Sequence, residues 1–216
     1  MSDAEVGEVD PLSPEAVEDG TNVLVAGEPF TRKREVLLEL LDTPDSGAIL
    51  ATTKWTTDRL RQAFARRYAA EAWELRFLDC VSKSRSVESV RETETMRYVS
   101  DPGDLTGMGI ELSGFMREFY HREDVERATL GFDSLSPVLM YADLRRVYQF
   151  LHVVTGRIAS SGFAGVFTLD TVRDDRRAAD QLMQVFDALV EVRETDDGEQ
   201  LRVRGGTFGP QSWTRF

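Results

Sequence analysis

This 216-residue chain predicts a three-layer α/β fold: a mostly parallel sheet flanked by helices, with a C-terminal β-hairpin at one edge. Three observations carry the expectation. Short apolar runs of strand length alternate about five times with amphipathic helical stretches. The runs are apolar along their whole length, as in strands buried on both faces of a parallel sheet. Finally, residues 188–193 and 200–204 flank Asp196-Asp197-Gly198 and carry alternating outward charges, the pattern of a hairpin.

The elements follow in order. Residues 1–20 hold seven acids and no base, with Pro11 and Pro14 and little periodic hydrophobicity, and are expected to form an acidic disordered tail. The stretch TNVLVAGEPFTRKREVLLELL, residues 21–41, opens with an apolar strand at 23–26. It breaks at Gly27-Glu28-Pro29 and continues as a helix over 32–41. A turn at 43–47 leads to a second strand at 48–52. Thr56 or Thr57 caps a helix reaching about residue 68, and 75–80 is a third strand. Residues 82–94 form a polar excursion, and 96–99 a fourth strand. Beyond Pro102-Gly103-Asp104 a helix covers 105–120, with Ile110, Phe115 and Tyr120 expected to be buried. A strand at 128–133 is followed by one long helix over 137–160. Its stripe of Met140, Leu144, Val147, Leu151, Val154 and Ile158 has 4-3 spacing. A strand at 165–169, a helix at 174–186 and the hairpin complete a domain over residues 21–206, and 207–216 is expected to be a tail.

Composition narrows the function classes. The formal net charge is −12, and of 26 basic residues only Lys33, Lys54 and Lys83 are lysine, leaving 26 − 3 = 23 arginines. An acid-rich, lysine-poor chain points to adaptation to concentrated salt. The net field repels phosphate, so nucleic acid is not an expected partner. At molar salt the Debye length is about 3 Å, which leaves little electrostatic capture. No apolar run reaches membrane-spanning length, there is no basic-then-apolar leader, and Cys80 is the single cysteine. A cytoplasmic, non-membrane protein is expected.

The chemistry-bearing candidates sit where a strand, a loop and a helix meet. Set on the phosphate-loop pattern G-x-x-x-x-G-K-[ST], the chain supplies Gly27 and Lys33. Arg32 stands at the second glycine and Arg34 at the hydroxyl. Such a loop holds phosphate with backbone N–H groups and a helix N-terminus. Asp133 ends the apolar run ATLGFD, the place where an acid holds Mg²⁺ beside such a loop. Other features carry less. His121 and His152 have no metal-ligand neighbour at helical spacing. Cys80 ends a core strand, and Gly107-Met-Gly109 lacks the third glycine of a dinucleotide fingerprint. Glu118, Glu123, Asp124 and Glu126 read as a solvated charge run. Arg193, Arg202, Arg204 and Arg215 read as exposed alternation on the hairpin or as a subunit contact.

With these segments in view, the chain resembles the RecA/KaiC-like branch of P-loop ATPases. It is most similar to short single-domain proteins of that kind in salt-loving archaea. The carriers are NVLVAGEPFTRKREVLLELL, GAILATT, GDLTGMGIELSGFM, ATLGFDSLSPVLMY, GVFTLD and DALVEVRETDDGEQLRVRGG. The resemblance implies nucleotide binding by Gly27, Thr31, Arg32, Lys33, Arg34 and Asp133, with Mg²⁺ at Asp133. It also implies a water-activating Glu near residues 52–54. The departures set the expected function. Arg34 has no acceptor for a metal. Arg32 places a β-carbon where glycine normally adopts a left-handed conformation. Thr52, Thr53 and Lys54 stand where a catalytic carboxylate is expected. Losing one charge-assisted contact weakens binding by roughly 1.5–3 kcal/mol. Two functions remain open. One is a non-hydrolysing regulatory or interaction domain, acting with a protein partner or with further copies of itself. The other is an ATP-binding protein in which Arg32, Lys33 and Arg34 replace the metal charge, so that ATP binds with or without Mg²⁺.

Overall fold

The computed structural model describes residues 12–41, 47–67, 74–85, 91–122, 125, 127–171 and 176–216. The elements run β1 (Asn22–Gly27), α1 (Lys33–Leu40), β2 (Gly47–Thr52), α2 (Thr57–Arg67), β3 (Glu74–Asp79), α3 (Ser82–Arg85), β4 (Met96–Tyr98), α4 (Leu105–Tyr120), β5 (Ala128–Asp133), α5 (Leu135–Tyr141), α6 (Leu144–Ser160), β6 (Ala164–Asp170), α7 (Arg176–Met183), β7 (Ala188–Thr195), β8 (Gly198–Arg204) and β9 (Thr214–Arg215). The nine strands form one sheet in the order β4-β3-β2-β5-β6-β1-β7-β8-β9. Pairing is parallel from β4 to β7 and antiparallel across β7, β8 and β9. The expected mixed α/β sheet with a hairpin edge is therefore the fold.

Strands β1, β2 and β5 are buried at every residue, which is why their sequences are apolar without alternation. Successive side chains point to opposite faces, so the sheet feeds two cores. Leu24, Ile49, Leu130 and Phe132 pack with Leu112, Phe115 and Phe119 of α4 and Leu151, Val154 and Ile158 of α6. Val23, Val25, Ala48 and Leu50 pack on the other face with Val36, Leu37 and Leu40 of α1 and Leu60 of α2. Gly131 permits the close approach of α1: a β-carbon there would lie 2.9 Å from Leu41 Cδ1 and 3.0 Å from Leu50 Cδ2.

Several expectations are corrected. The long helix over 137–160 is two, α5 and α6, because Ala142 is extended and Asp143 caps a fresh start by accepting from Arg146 N at 3.1 Å. Met140 therefore leaves the buried stripe and is exposed, while Val147, Leu151, Val154 and Ile158 stay buried. In α4 Phe115 is buried, but Ile110 and Tyr120 face outward. Residues 12–20, expected to belong to the acidic tail, are packed on the domain. Leu12 and Val17 are buried, Ser13 N bonds Phe208 O at 2.8 Å, and Asp19 pairs with Arg127 at 2.9 Å. Residues 207–216 are likewise not free: Phe208 is buried and β9 pairs with β8. Residues 1–11, 42–46, 68–73, 86–90, 123, 124, 126 and 172–175, on which parts of the tail, turn, helix, excursion and charge-run readings fall (Glu123, Asp124 and Glu126 among them), lie outside the described residues.

Parallel register now places the chemistry. Thr52 stands opposite both Asp133 and Asp79, and Gly27 stands opposite Asp170. Five strand ends thus deliver their last residues to one edge of the sheet, where open α/β sheets bind ligands.

Candidate functional site

The loop between β1 and α1 is the first wall of the site. Gly27 has ordinary backbone angles, and its need for a bare Cα is steric, since a β-carbon there would sit 2.4 Å from Val192 O of the adjacent β7. The strain expected at Arg32 falls elsewhere. Arg32 has φ −72°, and the residue in the left-handed region is Phe30 at +73°, which is fully exposed. A non-glycine there costs on the order of 1–2 kcal/mol. Thr31 closes the loop on itself, donating from Oγ1 to Glu28 O at 2.9 Å and accepting from Lys33 Nζ at 2.9 Å.

Lys33 is buried and fully engaged. Its ammonium donates to Glu28 O and to Thr31 Oγ1, and it lies 3.1 Å from Asp170 Oδ1. Three donors meet three acceptors. Burial pushes this ammonium below its ordinary pKa by more than Asp170 pulls it back. For Asp170 burial pushes upward, yet hydrogen bonds and charge from Lys54 and Lys33 outweigh it and hold the carboxyl below the usual range. One carboxylate thus serves two lysines, with Lys54 Nζ 2.9 Å away.

Asp133, the candidate Mg²⁺ ligand, holds an arginine. Arg34 Nε lies 2.7 Å from its Oδ2, and Thr168 Oγ1 donates to its Oδ1 at 3.2 Å. The pair is well shielded, with side-chain exposures of 19% for Arg34 and 4% for Asp133. Arg34 also stacks on Trp55, 3.3 Å from the ring centroid, and Arg59 approaches the same ring at 3.8 Å. Arg32 turns away, bonding Glu35 and stacking on Phe216, while its backbone N–H donates to Glu199 Oε1 at 2.9 Å. Near Thr52 the expected carboxylate is not found. Thr52 Oγ1 bonds Trp55 O at 2.7 Å, Thr53 bonds Ser134 O, and Lys54 reaches Asp170.

These groups line a cleft of about 660 Å³ that includes Phe30, Lys33, Arg34, Trp55, Asp133 and Asp170. The six residues expected to bind nucleotide fall in one neighbourhood. Arg34, Lys33, Thr31, Arg32 and Asp133 line the cleft, and Gly27 anchors the strand behind it. Sequence reasoning missed Asp170, Trp55, Arg59 and Glu199. Asp170 carries the signal that Asp133 does, an acid closing an apolar strand. Glu199 carries none, because its role depends on where the hairpin folds.

The lesser candidates resolve simply. Cys80 is buried, and burial pushes its thiol well up in pKa. His121 and His152 are exposed. Gly107 N is bonded by the cap Asp104 at 2.8 Å, inside the first turn of α4. Glu118 is not merely solvated, since it pairs with Arg97 and sits 3.6 Å from Arg76. Arg193 and Arg202 stack on Trp213, and Arg202 and Arg204 both reach Glu191. Among the described residues no group of three His, Cys, Asp or Glu is arranged to hold a metal ion, and no helix is long and apolar enough to cross a membrane.

Among solved structures, the chain is similar to the uncharacterized protein PH0321 from Pyrococcus horikoshii, crystallised in complex with an unknown peptide. The TM-score is 0.63 at 11% identity, over 89% of this chain and 90% of that one. At that identity the likeness is one of fold, and a fold by itself does not assign a function. No curated protein matches. Residues 20–192 match the family described as a family of unknown function, DUF7504, and the chain belongs to that family.

Proposed function

We propose that this chain is a degenerate RecA/KaiC-like P-loop domain that does not turn over ATP and works as an interaction or regulatory domain. The observation that carries the reading is the Arg34–Asp133 ion pair, 2.7 Å long and largely buried. A guanidinium has no acceptor for a cation, so the residues present do not fit Mg²⁺. To admit the metal, the pair must break, and removing one partner of a buried pair costs about 3–5 kcal/mol. That is roughly two to four decades of affinity. The absence of a carboxylate at Thr52, Thr53 or Lys54 removes the base that would activate water.

A protein partner, or a second copy of the chain, is the expected ligand of such a domain, in a cytoplasmic setting. The unknown peptide held by PH0321 supports, without assigning, a peptide-binding use of this architecture. Nucleotide binding without metal through Arg32, Lys33 and Arg34 is the second reading, favoured by the presence of Lys33, Arg34, Lys54 and Arg59 around one cleft, although the Arg32 guanidinium turns away from it. Lys33 and Arg34 are already spent on internal carboxylates, which weighs against it.

Titration with a fluorescent ATP analogue in high salt, with and without Mg²⁺, separates the two. The expected result is no Lys33-dependent saturation and phosphate release equal to blank. Tight saturation that Lys33→Ala abolishes would establish the second reading, and phosphate release above blank would overturn the non-catalytic assignment.

A further inference from the structure

Building on the interaction-domain reading, we propose that the cleft between the β1–α1 loop and Trp55 receives an extended acidic segment of a protein partner, held by Lys54, Arg59 and Phe30. The floor of the cleft is closed by its own ion pairs, Arg34–Asp133 and Lys33–Asp170. With all three Lys33 donors engaged, a triphosphate finds no cation at depth. The rim is different. Lys54 shares the single carboxylate of Asp170 with Lys33, so that trio keeps one positive charge in excess. Arg59 is exposed and lies over Trp55, with no carboxylate partner among the described residues. Two unbalanced cations therefore border one cleft in a chain of net charge −12. Their complement is a pair of carboxylates.

Phe30 decides between a small anion and a peptide. It is fully exposed, lines the same cleft, and is held at φ +73°. A bulky aromatic in that region of backbone space is strained, and such strain gathers at binding sites. A large apolar side chain beside two cations suits an apolar residue flanked by acids, and aromatic anchors of this sort dominate peptide interfaces. The volume of about 660 Å³ falls within the range of ligand clefts. Screening at molar salt leaves the charges able to orient a ligand but not to hold it alone, so the apolar anchor is needed.

The test is fluorescence polarisation of the full-length chain with a short fluorescein-labelled peptide of Glu, Asp and Leu, against a Lys and Leu peptide as control. Saturable binding of the acidic peptide alone is expected. It should weaken roughly tenfold or more in Lys54→Glu/Arg59→Glu and again in Phe30→Ala. All three positions are exposed, and circular dichroism is to check that each variant is folded. Equal binding by the parent and the charge-reversed variant, or no binding of the acidic peptide, overturns the proposal. Complete displacement by pyrophosphate in a manner lost in Lys33→Ala also overturns it, in favour of a phosphate site. The ATP titration bears on the broader reading separately: lost peptide binding with no ATP binding leaves the interaction domain standing and removes only this ligand class.

Discussion

Arg34 stands where the proposed phosphate-loop reading would place a hydroxyl and beside the acid it would assign to a metal. It brings a fixed positive charge to Asp133, and its flat face rests on Trp55. Removing it leaves a nearly buried carboxylate that accepts from the Thr168 hydroxyl but has lost its paired charge. Arg34→Ala is expected to lower stability by about 3 kcal/mol, the low end for a broken buried pair, measured by urea unfolding. Arg34→Ala/Asp133→Ala should recover part of that loss, since the orphaned charge is gone too. Arg34→Ser restores the hydroxyl of the phosphate-loop pattern and frees the acid, so Mg²⁺ should raise its Tm while leaving that of the parent unchanged. A parent Tm that rises equally with Mg²⁺ would show that Arg34 does not exclude the metal. Both members of the pair were legible in the sequence as candidates, but their pairing was not, because 99 residues separate them.

At the scale of elements, local pattern and caps account for most boundaries. Asp104 begins α4 and Ser134 begins α5, each accepting a backbone N–H of the first turn. Where the reading failed, a cap was overlooked: Asp143 restarts the chain as α6 within what periodicity alone extends as one helix. Asp143→Ala should cost about 1 kcal/mol of stability. A change within error would mean that packing of Val147, Leu151 and Val154, rather than the cap, sets this start. The hairpin was foreseen as an edge, but not the contact by which Glu199 on β8 meets the backbone of Arg32. That contact needs β7 to lie beside β1, a placement that no local pattern encodes.

For the whole molecule, the charge balance is the largest single lever. A net charge of −12 on 216 residues sets up self-repulsion that dissolved salt screens. Stability is therefore expected to rise as KCl is raised toward molar levels, followed as Tm by circular dichroism. A flat or falling Tm would show that the arginine-rich composition reflects something other than salt adaptation. The cationic cleft lies against this negative background, which is why its excess charge stands out.

The sequence by itself determined the fold class, nearly every strand and helix, and the residue types in the β1–α1 loop and at the strand ends. These depend on hydrophobic period and on turn and cap chemistry, which act over a few neighbouring residues. Only the tertiary structure decided the strand order, with β6 set between β5 and β1. It also decided that Asp133, expected from the sequence to hold a metal, pairs with Arg34 and that Asp170 gathers two lysines. Those outcomes arise from parallel register, which brings the ends of distant strands to one edge.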